Sequence, residues 1–299
     1  MPEVLAEGAA IGTPLFLISS IAIGWLGILI ATVSKPAVII SGVCAGGIFG
    51  AIVGYLKAKF GIHEVITSIM LNWIAFYFGN FIVNTQRFHQ PNSTGTYMIN
   101  ESGFTMFLYE WKNSEAGKAF LMKHPVLLDV ILKTDINFGI IIAIIIAIII
   151  GILLKKTTKG YELRSVGFNK DAAEFAGIDV KKNIIHAMVI AGAISGLAGA
   201  LTITGMAPHK ISTMGTFENY GFNGLSVALI AGSSPVGCIF AGLLFAGLLY
   251  GGGSLQSTIG VPSEIINIMI GTIVFFVALT KIVPVLADKL IKRGERHAK

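Results

Sequence analysis

The chain of 299 residues is 54% hydrophobic and only 13% charged, against roughly 25% charged in a soluble domain. That excludes an ordinary soluble fold, because several of its apolar runs reach the ~20 residues needed to cross a bilayer core. The net charge of +6 gathers at the ends of those runs and in one tail, so it reports orientation in a membrane and implies no nucleic-acid partner.

Taken in order, residues 1–10 lack a basic leader, since Glu3 and Glu7 stand where a signal peptide carries positive charge. A first span is expected over 9–33, followed by a tight turn at Lys35-Pro36 and a second span over 36–56. In the second span Gly42, Gly46, Gly50 and Gly54 recur every four residues. They share one helix face, which suits close approach of another helix more than it suits a solute groove. Lys57 and Lys59 end the span. A third span over 66–83 is preceded by Glu64 and has Thr67 and Ser68 in its first turn, with Asn72, Asn80 and Asn84 further along. Amides at membrane depth must be satisfied by other helices, by water or by a passing polar solute. Interhelical bonding and pathway lining are both open for Asn72 and Asn80.

Residues 85–137 form a long polar excursion without a catalytic constellation, and its His89 and His124 stand alone. A fourth span over 138–154 is almost entirely Ile, Leu, Ala and Gly, a composition for facing lipid. The polar island 155–182 then carries Lys155, Lys156, Lys159, Arg164, Lys170, Lys181 and Lys182, opposed by four carboxylates. Such a density of positive charge holds a loop on the cytoplasmic side. Within it Asn169 can N-cap a short helix with Asp171 in its first turn, and Gly177 supplies the stop. A solvated connector and a docking helix both fit these features. A fifth span over 184–203 has Gly192, Ser195, Gly196 and Gly199 as a close-packing edge, and His186 near its start reads as a lone packed or snorkelling side chain. After a break at 205–219, the apolar stretch beginning at Tyr220 is too short to cross, so a short or interrupted helix is expected. That kind of backbone survives at membrane depth where protein or a cavity satisfies it, which makes Phe222, Asn223 and Ser226 solute-contact candidates. A span over 236–250, a turn at Gly251-Gly252-Gly253, a last span over 262–282 and a basic tail over 283–299 complete the chain.

About eight crossings, one of them short or broken, make an all-α polytopic transmembrane bundle forming a single membrane domain with both ends cytoplasmic. Lys35, Arg87, Lys112, Lys118, Lys123, Lys133 and Lys210 then lie outside, and the other Lys and Arg residues lie inside. Cys44 and Cys238 fall within spans and read as small buried apolar residues, with no metal-ligand spacing around them.

The pattern Gly160-x3-Arg164-x2-Gly167-x4-Ala172-Ala173-x3-Gly177-Ile178 resembles the cytoplasmic coupling loop of ABC-type importer permeases, in the group that serves branched-chain amino acids, ribose and nucleosides. Residues 61–73, GIHEVITSIMLNW, resemble a segment of the nucleoside-type members, with His63 in place of Asn and Ser68 in place of Thr. Residues 224–237 resemble a third family segment. The resemblance implies that Gly160, Arg164, Gly167, Asn169, Ala172, Ala173 and Gly177 couple the chain to a separate ATPase subunit. It implies a second permease chain and an extracytoplasmic solute-binding lipoprotein in a bacterial cytoplasmic membrane. With Glu64, Thr67, Asn72, Asn80, Phe222, Asn223 and Ser226 along the pathway, the expected cargo is a nucleoside or a related sugar, moved by alternating access. Ala6-Glu7-Gly8 resembles a family segment that follows one or two further helices. The expectation is therefore an upstream start or a shortened permease.

No charged residue lies near the middle of a span, where one would cost at least ~2.5–3.5 kcal/mol, which argues against a proton-driven carrier. No phosphate-binding loop, zinc motif, nucleophile elbow or cofactor motif is present in the sequence, so neither ATP hydrolysis nor membrane catalysis is expected of this chain. A stand-alone channel or facilitator is the alternative in a different class, and it leaves the folded basic loop without a purpose.

Overall fold

The computed structural model describes residues 35–86, 88–99, 103–105, 114–115, 117, 122, 137–206, 208–215, 220–260, 262, 264–265, 267–273, 275–276 and 279. The expected first span, the Ala6-Glu7-Gly8 segment, His124 and the basic tail lie outside these residues. The principal helices are α1 (Lys35–Phe60), α2 (Glu64–Val83), α3 (Gly139–Lys156), α4 (Thr158–Phe168), α5 (Lys170–Phe175), α6 (Val180–Gly205), α7 (Tyr220–Ile230) and α8 (Pro235–Ile259). Helical residues recur between 264 and 279. Among the described residues there is no strand, only isolated bridges joining His89 to Thr96 and Gly95 to Ser212. Within α1, α2, α3, α6 and α8 lie stretches long and apolar enough to cross a membrane. The protein is an all-α polytopic membrane protein. Its residues 1–222 and 223–299 make two compact units.

The first unit is built on an antiparallel pair, α1 against α6. Val38 packs on Ala200, and the contacts then run through Gly42 with Gly196, Gly46 with Gly192, Gly50 with Met188 and Gly54 with Ile185. A Cβ on Gly46 would land on the carbonyl oxygen of Gly192, and one on Gly192 would land on that of Gly46. Backbone meets backbone along four turns, so the glycine face serves helix packing. By contrast, no residue of α3 is buried, as a lipid-facing helix requires.

Three local expectations need correction. Lys35 and Pro36 begin α1 instead of forming a turn, because proline is tolerated in a helix's first turn. Gly251, Gly252 and Gly253 are helical, and α8 runs on to a left-handed stop at Gly260 with φ of 74°. Inside a membrane the backbone must satisfy its own hydrogen bonds, which outweighs the ~1 kcal/mol that each helical glycine costs. Cys44 is exposed and Cys238 half-buried; Cys44 lies off the glycine face and has no core to enter.

Candidate functional site

At one end of the first unit, the polar island folds into two helices. Thr157 caps α4, its Oγ1 accepting from Gly160 N–H at 3.0 Å. Gly160 lets α4 fold back tightly on α3, since a Cβ there would strike the Leu153 carbonyl. Asn169 caps α5 as expected, its Oδ1 accepting from Asp171 N–H at 3.0 Å and Ala172 N–H at 3.1 Å. The C-terminus of α5 closes in a Schellman arrangement: Gly177 N–H reaches Glu174 O at 2.9 Å and Ile178 N–H reaches Ala173 O at 3.0 Å. That closure requires the left-handed φ of 79° at Gly177.

The seven coupling candidates divide by position. Gly160 is buried at the fold-back, Asn169 and Gly177 frame α5, and Gly167 sits in the last turn of α4. Arg164 and Ala172 are exposed, whereas Ala173 is only 3% exposed and packs inward. The residue that projects is one the sequence pattern passed over. Phe175 is 95% exposed, and Phe168 and Tyr161 are exposed nearby in sequence. An aromatic with almost no intramolecular contact, at the end of a capped helix, was the available signal.

Glu162 of α4 is a second omission. Its Oε2 accepts from Lys159 Nζ at 2.8 Å and from Asn183 Nδ2, at the start of α6, at 3.2 Å. The Lys159 and Asn183 hydrogen bonds hold its carboxyl below the usual carboxylate range. Asp179, which caps α6, is likewise held low by the backbone N–H and ammonium of Lys182. Both stay ionised at neutral pH.

The polar residues of α2 are sorted equally sharply. His63 caps the helix, its Nδ1 accepting from Val65 N–H at 3.3 Å; it does what an asparagine would do there. Glu64 is buried and paired with Lys57 of α1 at 2.9 Å. Thr67 Oγ1 turns back to His63 O at 3.5 Å. Asn80 is committed elsewhere: its Nδ2 donates to Met214 O and its Oδ1 accepts from Met214 N–H, both at 2.9 Å. Asn72 and Ser68 differ. Ser68 is 1% exposed, yet neither its Oγ nor Asn72 Oδ1, both buried, has a hydrogen-bond partner among the described residues. With Glu64 they fall at four-residue steps on one helix face.

At the far end of α2, residues 94–99 and 209–213 pair backbone to backbone. Thr96 N–H reaches Ile211 O at 2.9 Å, Ile99 N–H reaches His209 O at 3.0 Å and Thr213 N–H reaches Thr94 O at 2.9 Å. Thr105 and Thr204 bond through their hydroxyls at 3.1 Å, and the His209 ring stacks on Phe104 with centroids 4.1 Å apart. The described residues 94–99 and 104–105 are therefore tied to the end of α6 and the segment after it.

Asn223 and Ser226 lie half-buried on α7, whose 11 residues match the expected short helix. The Phe222 side chain lies outside the described ones. No group of His, Cys, Asp and Glu among the described residues could hold a metal ion.

A family model described as the permease component of branched-chain amino acid transport systems matches residues 4–279. The guanosine ABC transporter permease protein NupP of Bacillus subtilis is 36% identical over 264 residues, covering 88% of this chain and 70% of that one. The nucleoside ABC transporter permease protein NupB of Lactococcus lactis is 36% identical over 270 residues, covering 88% and 69%. The D-allose transport system permease protein AlsC of Escherichia coli is 28% identical, covering 83% and 67%. No solved structure matches the chain.

Proposed function

The chain belongs to the branched-chain amino acid transport system permease family and is the permease subunit of an ABC importer; from that premise we propose that its cargo is a nucleoside. Two relatives at 36% identity are named for guanosine and nucleoside transport. The apolar interior with a few amide and hydroxyl groups suits a neutral solute that carries a base and a ribose. A sugar is the second choice, motivated by the D-allose permease at lower identity.

Lys155–Lys182 lies on the cytoplasmic face of a bacterial membrane, and α5 docks on the ATPase subunit. Ser68 and Asn72 of the first unit meet the solute as it passes, and Asn223 and Ser226 of α7 are, in the second unit, solute-contact candidates in their own right. A second permease chain completes the pathway, and an extracytoplasmic binding lipoprotein delivers the solute. The observation that carries the docking part is the pairing of a buried Ala173 with a 95%-exposed Phe175. An aromatic held out by a rigid, capped helix is an anchor for a pocket on a partner.

The test is reconstitution of the chain with its ATPase and binding protein in liposomes. Uptake of labelled guanosine, adenosine, ribose and allose is followed with ATP and without it. ATP-dependent uptake of nucleosides ahead of sugars is expected, and the reverse order would transfer the assignment to sugars. Phe175→Asp should abolish co-purification with the ATPase. Retention of the ATPase by that variant would remove α5 as the docking element. Ala173→Asp is unsuitable as this probe, since a buried carboxylate would disrupt the loop itself.

A further inference from the structure

We propose that Asn183 is the joint through which displacement of the α4–α5 loop is passed to the membrane bundle, acting through Glu162. The proposal rests on the docking of that loop on an ATPase subunit. Asn183 lies in the first turn of α6 and is 2% exposed. Its Nδ2 makes two bonds, to Asp179 O at 3.0 Å within its own turn and to Glu162 Oε2 at 3.2 Å across to α4. Its Oδ1 is buried with no hydrogen-bond partner among the described residues. The amide is thus held in place for its donor, and the donor reaches the loop.

The other side of the link is placed by the fold-back of α4. Lys159 grips the same Glu162 oxygen at 2.8 Å, and Gly160, between them, is wedged against the end of α3. The Lys159 pair is open to solvent and adds little strength of its own, so the position of Glu162 is set by the seating of α4 on α3. Beyond Asn183, α6 has no freedom to slide on α1, because carbonyl oxygens and glycine Cα atoms interlock from Gly42 to Gly54. A pull at Asn183 therefore moves α1 and α6 together. Lys57, near the end of α1, carries the motion to Glu64 at the head of α2. A chain of rigid elements linked at a few polar points is what passes a domain displacement onward. If Asn183 served only to hold the first turn of α6, the Asp179 bond would suffice and the Glu162 bond would be idle.

The experiment uses the complete transporter in liposomes and measures solute imported per ATP hydrolysed, beside ATPase co-purification and thermal stability. Asn183→Leu and Glu162→Ala should keep the ATPase bound and hydrolysing, while solute moved per ATP falls about tenfold, within the usual span of coupling between sites. Glu162→Gln keeps an acceptor oxygen and should remain within about twofold of wild type, because hydrogen bonding is retained while the charge is lost. A merely structural role would lower stability or assembly and leave the ratio unchanged; that result overturns the proposal. Should Asn183→Leu fail to fold, the more exposed Glu162→Ala carries the test alone. The wild-type complex, run alongside, reports separately on the docking of α5, since failure to bind the ATPase at all would lie with that reading.

Discussion

The α1/α6 seam and the polar face of α2 belong to the same unit and use opposite chemistry. Along the seam glycine recurs at four-residue steps, and backbone is packed closely on backbone there. Along α2, Glu64 is paired, Asn80 is clamped to Met214, and Ser68 and Asn72 between them have buried oxygens without a partner among the described residues. An unfilled buried polar atom costs roughly 1–3 kcal/mol, so two of them a turn apart mark a surface unlike the seam. With Ser68 and Asn72 meeting the solute as proposed, the difference separates contacts that persist through a transport cycle from groups whose partner comes and goes.

The largest effect should come from unpairing the head of α2. Lys57→Met leaves the Glu64 carboxylate buried without its cation, and breaking a buried ion pair from one side costs about 3–5 kcal/mol. Thermal unfolding in detergent should show this as a large loss of stability, and Glu64→Gln in the same chain should restore part of it. Wild-type stability in Lys57→Met would mean that the pair is exposed to water in the membrane, which would blunt the contrast with the dry seam.

The seam can be tested by a single carbon atom. Gly46→Ala puts a Cβ on the Gly192 carbonyl oxygen, whereas at Gly47 the nearest atoms are 3.9 Å away. The first should sit at the upper end of the ~1–3 kcal/mol that overpacking costs. Alanine at Gly47 should be neutral or stabilising by up to about 1 kcal/mol, because a helical glycine is replaced. Equal effects at the two positions would show that the seam is looser than the interlock requires.

This pair also shows what could be read from the residues alone. Glycine at four-residue steps in two spans announces close packing, but that the two faces meet each other was seen only in the structure. The α5 helix was legible because Asn169, Asp171 and Gly177 are local signals, each acting within three residues. The exposure of Phe175 and the burial of Ala173 were not, because they depend on which side α4 covers. Nor were Glu162–Asn183, 21 residues apart, or Asn80–Met214, 134 apart, since nothing local distinguishes an amide that bonds its own chain from one that waits for a solute. The Gly251–Gly253 run misled for a related reason: glycine's preference for turns is set against water, and the membrane changes the reference.

The smallest expected effect is the most informative about α2. Ser68→Ala removes one oxygen from a 1%-exposed residue and leaves the methylene in place. If the hydroxyl were a structural hydrogen bond, its loss would lower the unfolding temperature. Because Ser68 Oγ has no partner among the described residues, the variant should instead be as stable as wild type or slightly more so, an orphaned group having been taken out. Transport should move the other way. A hydrogen bond to a neutral solute contributes about 0.5–1.5 kcal/mol net, so the KM for uptake should rise roughly twofold to tenfold. Asn72→Leu should behave in the same direction, and the double variant should lose less than the two changes multiplied if both oxygens hold one solute group. A protein made more stable and a poorer transporter by the same atom identifies a group kept for its cargo. Stability that falls with KM unchanged would return Ser68 to the packing of the bundle.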